Sequence, residues 1–341
     1  MECNKYDYVG GSVGICNDGS RYVVAAPGIN LRTFQKYLGD SNDDPSLISN
    51  GAVYVFYDNK VQKIEPPQKI TPPEKKDRFG TCTRISGDGS KIAIGSYNAE
   101  RVYVYEFQDD RYELLYELST GERTKVFGYN LWISGNGDDI IVGAPEVPLR
   151  FHEERDGLHQ IHGAVFHFRK GELLQSIEPI EFDKDRQPKH YGRSVWLSDD
   201  AQTCMIGSMG SSSVYEYAYV DNKWMQTDVL REEQGSDFGN SISRDGDDYL
   251  IGAKAGAFAV YNGDRVVGTG STAFGGSVKL RHGYIVSGSF QGHTDWFGYS
   301  VDIFPNGNIL VGSPLYEWTG RYQILTPDEA TAAGLYVKKV T

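Results

Sequence analysis

The chain has 341 residues, 34 basic against 46 acidic side chains, and a net charge of −12. That balance argues against nucleic acid or an anionic membrane as the main partner, since both need a basic face. No apolar run approaches the roughly 18 residues needed to span a bilayer, so no membrane insertion is expected.

The leading stretch, "MECNKYDYVGG", is polar, with no hydrophobic region and no cleavage site, so no secretion signal is visible. The compartment is left open: extracellular, virion-associated or cytoplasmic. Cys3, Cys16, Cys82 and Cys204 are too few and too scattered for a disulfide scaffold or a CxxC metal site. Free, mostly buried thiols are expected, with a Cys3–Cys16 bridge as the alternative. No Asn-x-Ser/Thr sequon occurs, which argues against a glycosylated cell-surface protein.

From Val9 the chain reads "VGGSVGICNDGSRYVVAAPG", two short apolar runs around a polar turn, and "GAVYVFY" follows at 51–57. The cassette returns as "FGTCTRISGDGSKIAIGS" from Phe79, with "RVYVYEF" (101–107) and "YELLYEL" (112–118) behind it. It returns again as "FGYNLWISGNGDDIIVGAPE" (127–146), followed by "GAVFHF" (163–168) and "ELLQSI" (172–177). The fourth copy is "YGRSVWLSDDAQTCMIGS" from Tyr191, with "SSVYEYAY" (212–219) and "KWMQTDVL" (223–230). The fifth, "FGNSISRDGDDYLIGA" from Phe238, precedes "GAFAVY" (256–261). "FGGSVKLRHGYIVSGS" begins at Phe274, and "FGYSVDIFPNGNILVGSP" at Phe297 with "GRYQIL" (320–325) after it.

Each run is rich in Val, Ile, Tyr and Phe and bounded by Gly, Asp, Asn or Pro, so each is predicted to be a strand. The turns "NDGS", "GDGS", "GNGD" and "RDGD" signal tight hairpins, because Gly takes the positive φ they need. Four strands per unit of about 49 residues match a propeller blade. Steric reasoning explains the motif. Blades converge on the axis, so the innermost strand needs Gly where backbones crowd, and the aromatic before it wedges between sheets. The fold class expected is all-β: one domain over 1–341, a seven-bladed β-propeller with a degenerate sixth blade, six blades being the alternative. Only 23 residues separate Gly275 from Gly298, which leaves room for two strands in the sixth unit. "LYVKKVT" (335–341) is expected to give the last blade its outer strand.

The pattern "FGxS…DG…VGAP…GAVYVY" over residues 8–325 resembles the FG-GAP repeat of integrin-α-like β-propellers, in its prokaryotic or viral form. The resemblance implies a recognition, adhesion or assembly scaffold and no reaction. Integrin blades often carry a DxDxDGxxD calcium loop between the first two strands. The turns here, "SGDGSK", "SGNGDD" and "FPNGN", are too short to supply six or more oxygen ligands, so no cofactor is expected and calcium is not supported.

Several motifs imitate chemistry. "GGSVG" (10–14) matches the nucleophile-elbow pattern, but Ser12 aligns with Ser194, Ser241, Ser277 and Ser300, so a packing role is expected. Asp138/Asp139 and Asp247/Asp248 follow the hairpin glycines and are expected to be solvated turn residues. "HEERDGLHQIH" (152–162) is not HExxH and lies in a loop, where nothing fixes ligand spacing. Asp40, Asn42 and Asp44 in "GDSNDDPS" start like a calcium loop, but Pro45 stands where Gly is needed and no glutamate closes it.

Insertions fall between second and third strands, at 28–50, 146–162 and 314–319, and a rigid scaffold presents its functional residues on such loops. The partner, a protein or a glycan, is therefore expected on that rim, with Phe34, Tyr37, Phe151, His152, His159, Tyr316 and Trp318 as contact residues. A structural subunit of a larger assembly, such as a virion or surface appendage, is the alternative. A glycan-cleaving propeller enzyme is third and needs two convergent carboxylates, or a His and a Tyr.

Overall fold

The structure is a computed structural model. It describes residues 7–28, 50–67, 78–121, 126–146, 163–179, 190–232, 236–253, 257–262, 265–271, 278–287, 299–314 and 320–339. The runs rich in β-branched and aromatic residues form strands joined in sequence order by antiparallel pairing. β1 (Ser12–Ile15), β2 (Arg21–Ala26), β3 (Ala52–Tyr57) and β4 (Lys60–Ile64) make the first four-stranded sheet. β5 (Thr83–Ile85), β6 (Lys91–Ser96), β7 (Arg101–Gln108) and β8 (Arg111–Leu118) make the second. The third holds β9 (Asn130–Ile133), β10 (Asp139–Ala144), β11 (Ala164–Arg169) and β12 (Glu172–Ile177). The fourth holds β13 (Tyr191–Leu197), β14 (Thr203–Ser208), β15 (Ser213–Val220) and β16 (Lys223–Arg231). The fifth holds β17 (Ser241–Asp245), β18 (Asp248–Gly252), β19 (Ala257–Asn262) and β20 (Arg265–Ser271).

Two further sheets have three strands each. β21 (Val278–Arg281) and β22 (Tyr284–Ser287) pair with β26 (Tyr336–Lys339), while β23 (Ser300–Ile303), β24 (Ile309–Ser313) and β25 (Arg321–Leu325) pair among themselves. The leading strands β1, β5, β9, β13, β17, β21 and β23 each neighbour the next, and β23 returns to β1. The molecule is an all-β propeller, its sheets arranged around one axis. None of its described helices is long and apolar enough to cross a membrane.

The glycine motif acts at the sheet boundaries. Gly10, Gly80, Gly128 and Gly239 lead directly into the innermost strands and Gly192 lies within one, all at φ between +83° and +93°. Gly275 and Gly298 lie outside the described residues. A Cβ on Gly95, Gly143, Gly207 or Gly312 would land on the carbonyl oxygen of the motif glycine of the next sheet. The partner aromatics Phe79, Phe127, Tyr191 and Phe238 are buried between sheets. Inner strands are also stitched laterally. Thr83 N donates to Ser12 Oγ at 3.1 Å, Ser194 Oγ donates to Gly239 O at 2.6 Å, and Ser300 Oγ donates to Gly10 O at 2.8 Å. Ser12 thus has the packing role expected of it.

The hairpins opposite the loop rim are locked by their own side chains. Asp18 Oδ1 accepts from Ser20 N at 2.9 Å and Ser20 Oγ at 2.7 Å, and Asp88 Oδ1 accepts from Ser90 N at 2.8 Å. Asn136 and Asp200 repeat the geometry, accepting from Asp138 N and Gln202 N at 3.0 Å. Hydrogen bonds from Cys16 and Ser20 hold the Asp18 carboxyl down at about 2. Cys16, Cys82 and Cys204 are free and buried; Cys3 lies outside the described residues.

Two expectations are corrected. The C-terminal strand does not complete the last sheet: β26 pairs with β22, running Tyr284↔Lys339 to Ser287↔Tyr336. A two-stranded unit leaves β22 with an open edge, and α1 (Pro327–Ala332), capped by Thr326 and Glu329, turns the chain back towards it. Asp139 is not a solvated turn residue either. Its carboxylate is buried, 2.7 Å from His167 Nε2 and 2.8 Å from Arg169 Nε. The strand pleat turns Asp139 inward while Asp138 stays at the surface, bonded by Lys91 Nζ at 3.0 Å.

Candidate functional site

Strands β2 and β3 stay in register to Ala26↔Ala52, β10 and β11 to Ala144↔Ala164, and β24 and β25 to Ser313↔Arg321. Chain order puts these three strand ends on one face, so the insertions leave the blades there. Phe34, Tyr37, Phe151, His152, His159, Tyr316 and Trp318 all lie outside the described residues, as do Asp40, Asn42 and Asp44.

The described residues show a second feature, the axial channel. A cavity of about 670 Å³ opens among the hairpin turns of the opposite face, and one of about 270 Å³ lies towards the loop rim. Arg84, Trp132 and Lys279 line both and form the waist between them. The lining follows a rule of register. Gly14, Arg84, Trp132, Trp196, Ser243, Lys279 and Asp302 occupy one and the same position in the seven copies, five residues after the aromatic or its Val9 counterpart. All seven line the larger cavity.

The charges at the waist are unevenly matched. Asp302 is buried and fully engaged: its carboxylate accepts from Ile15 N at 2.9 Å and Ile303 N at 2.9 Å. It also lies 3.2 Å from Lys279 Nζ and 3.4 Å from Arg281 Nη1. Against this one carboxylate stand Lys279, Arg281 and Arg84. Lys279 Nζ and the Arg84 guanidinium each lie 4.9 Å from the centre of the Trp132 ring, a cation–π arrangement. Burial pushes the Lys279 ammonium down to about 8; Asp302 pulls it back up, while Arg281 and Arg84 push it further down. Burial also lowers His282, with Arg281 assisting. Asp302 is held below the usual carboxylate range because Lys279 and Arg281 outweigh its desolvation. Arg84 Nη1 donates to Thr83 O at 3.0 Å, and its buried Nε has no hydrogen-bond partner among the described residues.

At the hairpin face the turns touch each other. Asn17 N donates to Gly87 O at 2.8 Å, Asp88 N to Gly135 O at 2.9 Å, and Gly135 N to Asp199 O at 2.9 Å. Asn17 Nδ2 reaches Asp199 at 2.7 Å, and Arg281 Nη2 reaches Asn17 Oδ1 at 2.7 Å. Sequence reasoning aimed at loops and clusters passed over this channel. The signal was present in a repeat column whose chemistry changes from copy to copy, from Gly14 through Arg84, Trp132 and Lys279 to Asp302.

No protein-family model matches the chain, and no curated protein matches it. Solved structures do. The β-propeller domain of Cps50 (Swd1) from Myceliophteria thermophila aligns with a TM-score of 0.55 at 8% identity, over 82% of this chain and 79% of that one. A chain of the mitotic checkpoint complex aligns with a TM-score of 0.58 at 11% identity, over 96% of this chain and 90% of its own. The shared fold is the β-propeller. Identities this low carry architecture alone.

Proposed function

We propose that the chain is a non-catalytic recognition scaffold that holds a protein or glycan partner on the rim bearing residues 28–50 and 146–162. The observation that carries this reading is the asymmetry of the two faces. On one, paired strands run in register to within one residue of each insertion. On the other, every fully described hairpin is a short turn, five of them closed by their own Asp or Asn side chain. Long loops cost little closure entropy on either face, so their confinement to one supports use. The FG-GAP type, the adhesive role and the contact residues Phe34, Tyr37, Phe151, His152, His159, Tyr316 and Trp318 belong to the same proposal. Counting each three-stranded sheet as a blade gives seven, with six as the alternative count.

A non-catalytic role is favoured because the residues that imitate an active site have structural work: Ser12 stitches inner strands and Asp139 is tied to His167 and Arg169. The structural-subunit reading draws on one observation, the exposed leucines Leu114, Leu115, Leu173 and Leu174 on outermost strands. Likeness to a chain of a multiprotein complex supports a protein partner in the coarse sense only. A combined glycan and protein array with the isolated chain tests the reading. We expect binding that disappears when 28–50 and 146–162 are shortened to tight turns; retention of binding by that variant moves the site elsewhere.

A further inference from the structure

We propose that the waist of the channel binds an oxyanion, a carboxylate or phosphoryl group, held by Arg84 and Lys279 beside Trp132. This site is separate from the rim and does not depend on partner binding there.

Three observations converge. Arg84, Lys279 and Arg281 share a single carboxylate at the waist, and that carboxylate already closes the contact between β23, β21 and β1 through Ile15 N and Arg281. The positive surplus is confined to the waist of a protein of net charge −12; the mouth of the same cavity is lined by Asp199, Asp200 and Asp245 as well as by Arg244. Second, donors remain. Among the described residues Arg84 Nε is buried without a hydrogen-bond partner, and Asp302 is the one carboxylate paired with the Lys279 ammonium, whose side chain is 13% exposed. Buried cationic donors without acceptors are costly, and an oxyanion arriving between them would relieve that cost. Third, there is room: the cavity of about 670 Å³ reaches the waist from the hairpin face and is ample for a phosphate or a citrate. Burial is the main cause of the depressed Lys279, and Arg281 and Arg84 add to it against the pull of Asp302.

The oxyanion has two sources with one chemistry, a free small anion or an acidic side chain of a docking peptide. Isothermal titration at low salt with inorganic phosphate, with citrate and with a hexaglutamate peptide separates them, with glucose as the uncharged control. We expect one citrate per chain, silence with glucose, and weakening by tenfold or more in both Arg84→Gln and Lys279→Met. Arg84→Gln leaves the Asp302 contacts intact, so it remains informative where Lys279→Met perturbs folding. Tighter binding of hexaglutamate than of citrate assigns the site to a peptide; the reverse assigns it to a free anion. A second readout needs no variant. Acetic anhydride at pH 8 should label Lys279, and saturating citrate should cut that labelling severalfold while surface lysines such as Lys60 react unchanged. If neither citrate, phosphate nor hexaglutamate binds, or if both variants bind as the wild type does, the proposal is overturned.

Discussion

Asp302 joins three strands with one carboxylate, accepting from Ile15 N on β1 while facing Lys279 and Arg281 on β21. Removing one partner of a buried charge cluster typically costs about 3–5 kcal/mol. Asp302→Ala is therefore expected to lose stability on that order, measured by urea unfolding, whereas a neutral result would mean the channel is wetter than its geometry implies. Lys279 makes a second, signed prediction. Its folded value of about 8 lies below the ordinary 10.5, so between those values the unfolded chain holds a proton the folded chain has released. Stability must then rise with pH across that window. The difference between wild type and Lys279→Met, followed from pH 7.5 to 10.5, should grow in the direction favouring wild type; a flat difference contradicts it. Residue roles were only partly legible in the sequence. "GDD" reads as a turn, yet one of its two aspartates faces the interior between the third and fourth sheets, because alternation along β10 sends neighbours opposite ways. What Asp139 meets there, His167 and Arg169, comes from another strand.

At the scale of the element, the repeat glycines carry the sheet-to-sheet spacing. Gly143 has nothing unusual in its own backbone, but its Cβ would strike the carbonyl of Gly192 in the next sheet. Gly246 is the converse: φ is +61° with nothing within 4 Å of a Cβ. Gly143→Ala is expected to cost about 1–3 kcal/mol or more through overpacking, and Gly246→Ala about 1–2 kcal/mol through left-handed strain alone. A melting temperature of Gly143→Ala equal to that of the wild type would mean the sheets slide apart at little cost. Outer strands share a device of their own. Leu115, Leu174, Thr227 and Val267 are each an extra residue against the neighbouring strand at the same register. Such bulges bend an exposed edge and discourage pairing with other chains. The strands themselves were legible because hydrophobic runs and turn residues repeat in step. The destination of β26 was not, since an alternating run shows that a strand exists and says nothing of which open edge receives it.

For the whole molecule, the decisive feature is how the ring closes. Among the described residues no strand is exchanged between the first and last sheets; the seam combines a parallel bridge from Val9 to Gly320, the bond from Ser300 to Gly10 O and the Asp302 contact with Ile15 N with an apolar cluster in which Tyr22 and Phe56 of the first sheet meet Phe304 and Tyr322 of the last. A Cβ on Gly10 would lie 2.7 Å from Gly312 Cα and 2.8 Å from Ser313 N. Gly10→Val is expected to open the ring, with hydrogen exchange rising first in β1 and in β23 to β25 while the third and fourth sheets stay protected. Uniform loss of protection would indicate a ring that unfolds as one unit. Shortening 28–50 and 146–162 is expected to leave the melting temperature within a few degrees, because the ladders end before those residues begin. The architecture was readable from seven copies of one cassette. The channel site was not, because its residues stand tens of residues apart and meet only when the copies are arranged in a circle.

The pairing of β26 with β22 also sets a clock. A ribosome emits β22, then the three strands of the following sheet, then α1, and only afterwards the strand that β22 requires. Throughout that interval a hairpin of two short strands waits with one side unpaired, while the five preceding four-stranded sheets already have every strand they use. Translation speed through residues 288–335 therefore governs how long a sticky edge is on show, and slow codons there would favour capture by chaperones or by a neighbouring nascent chain.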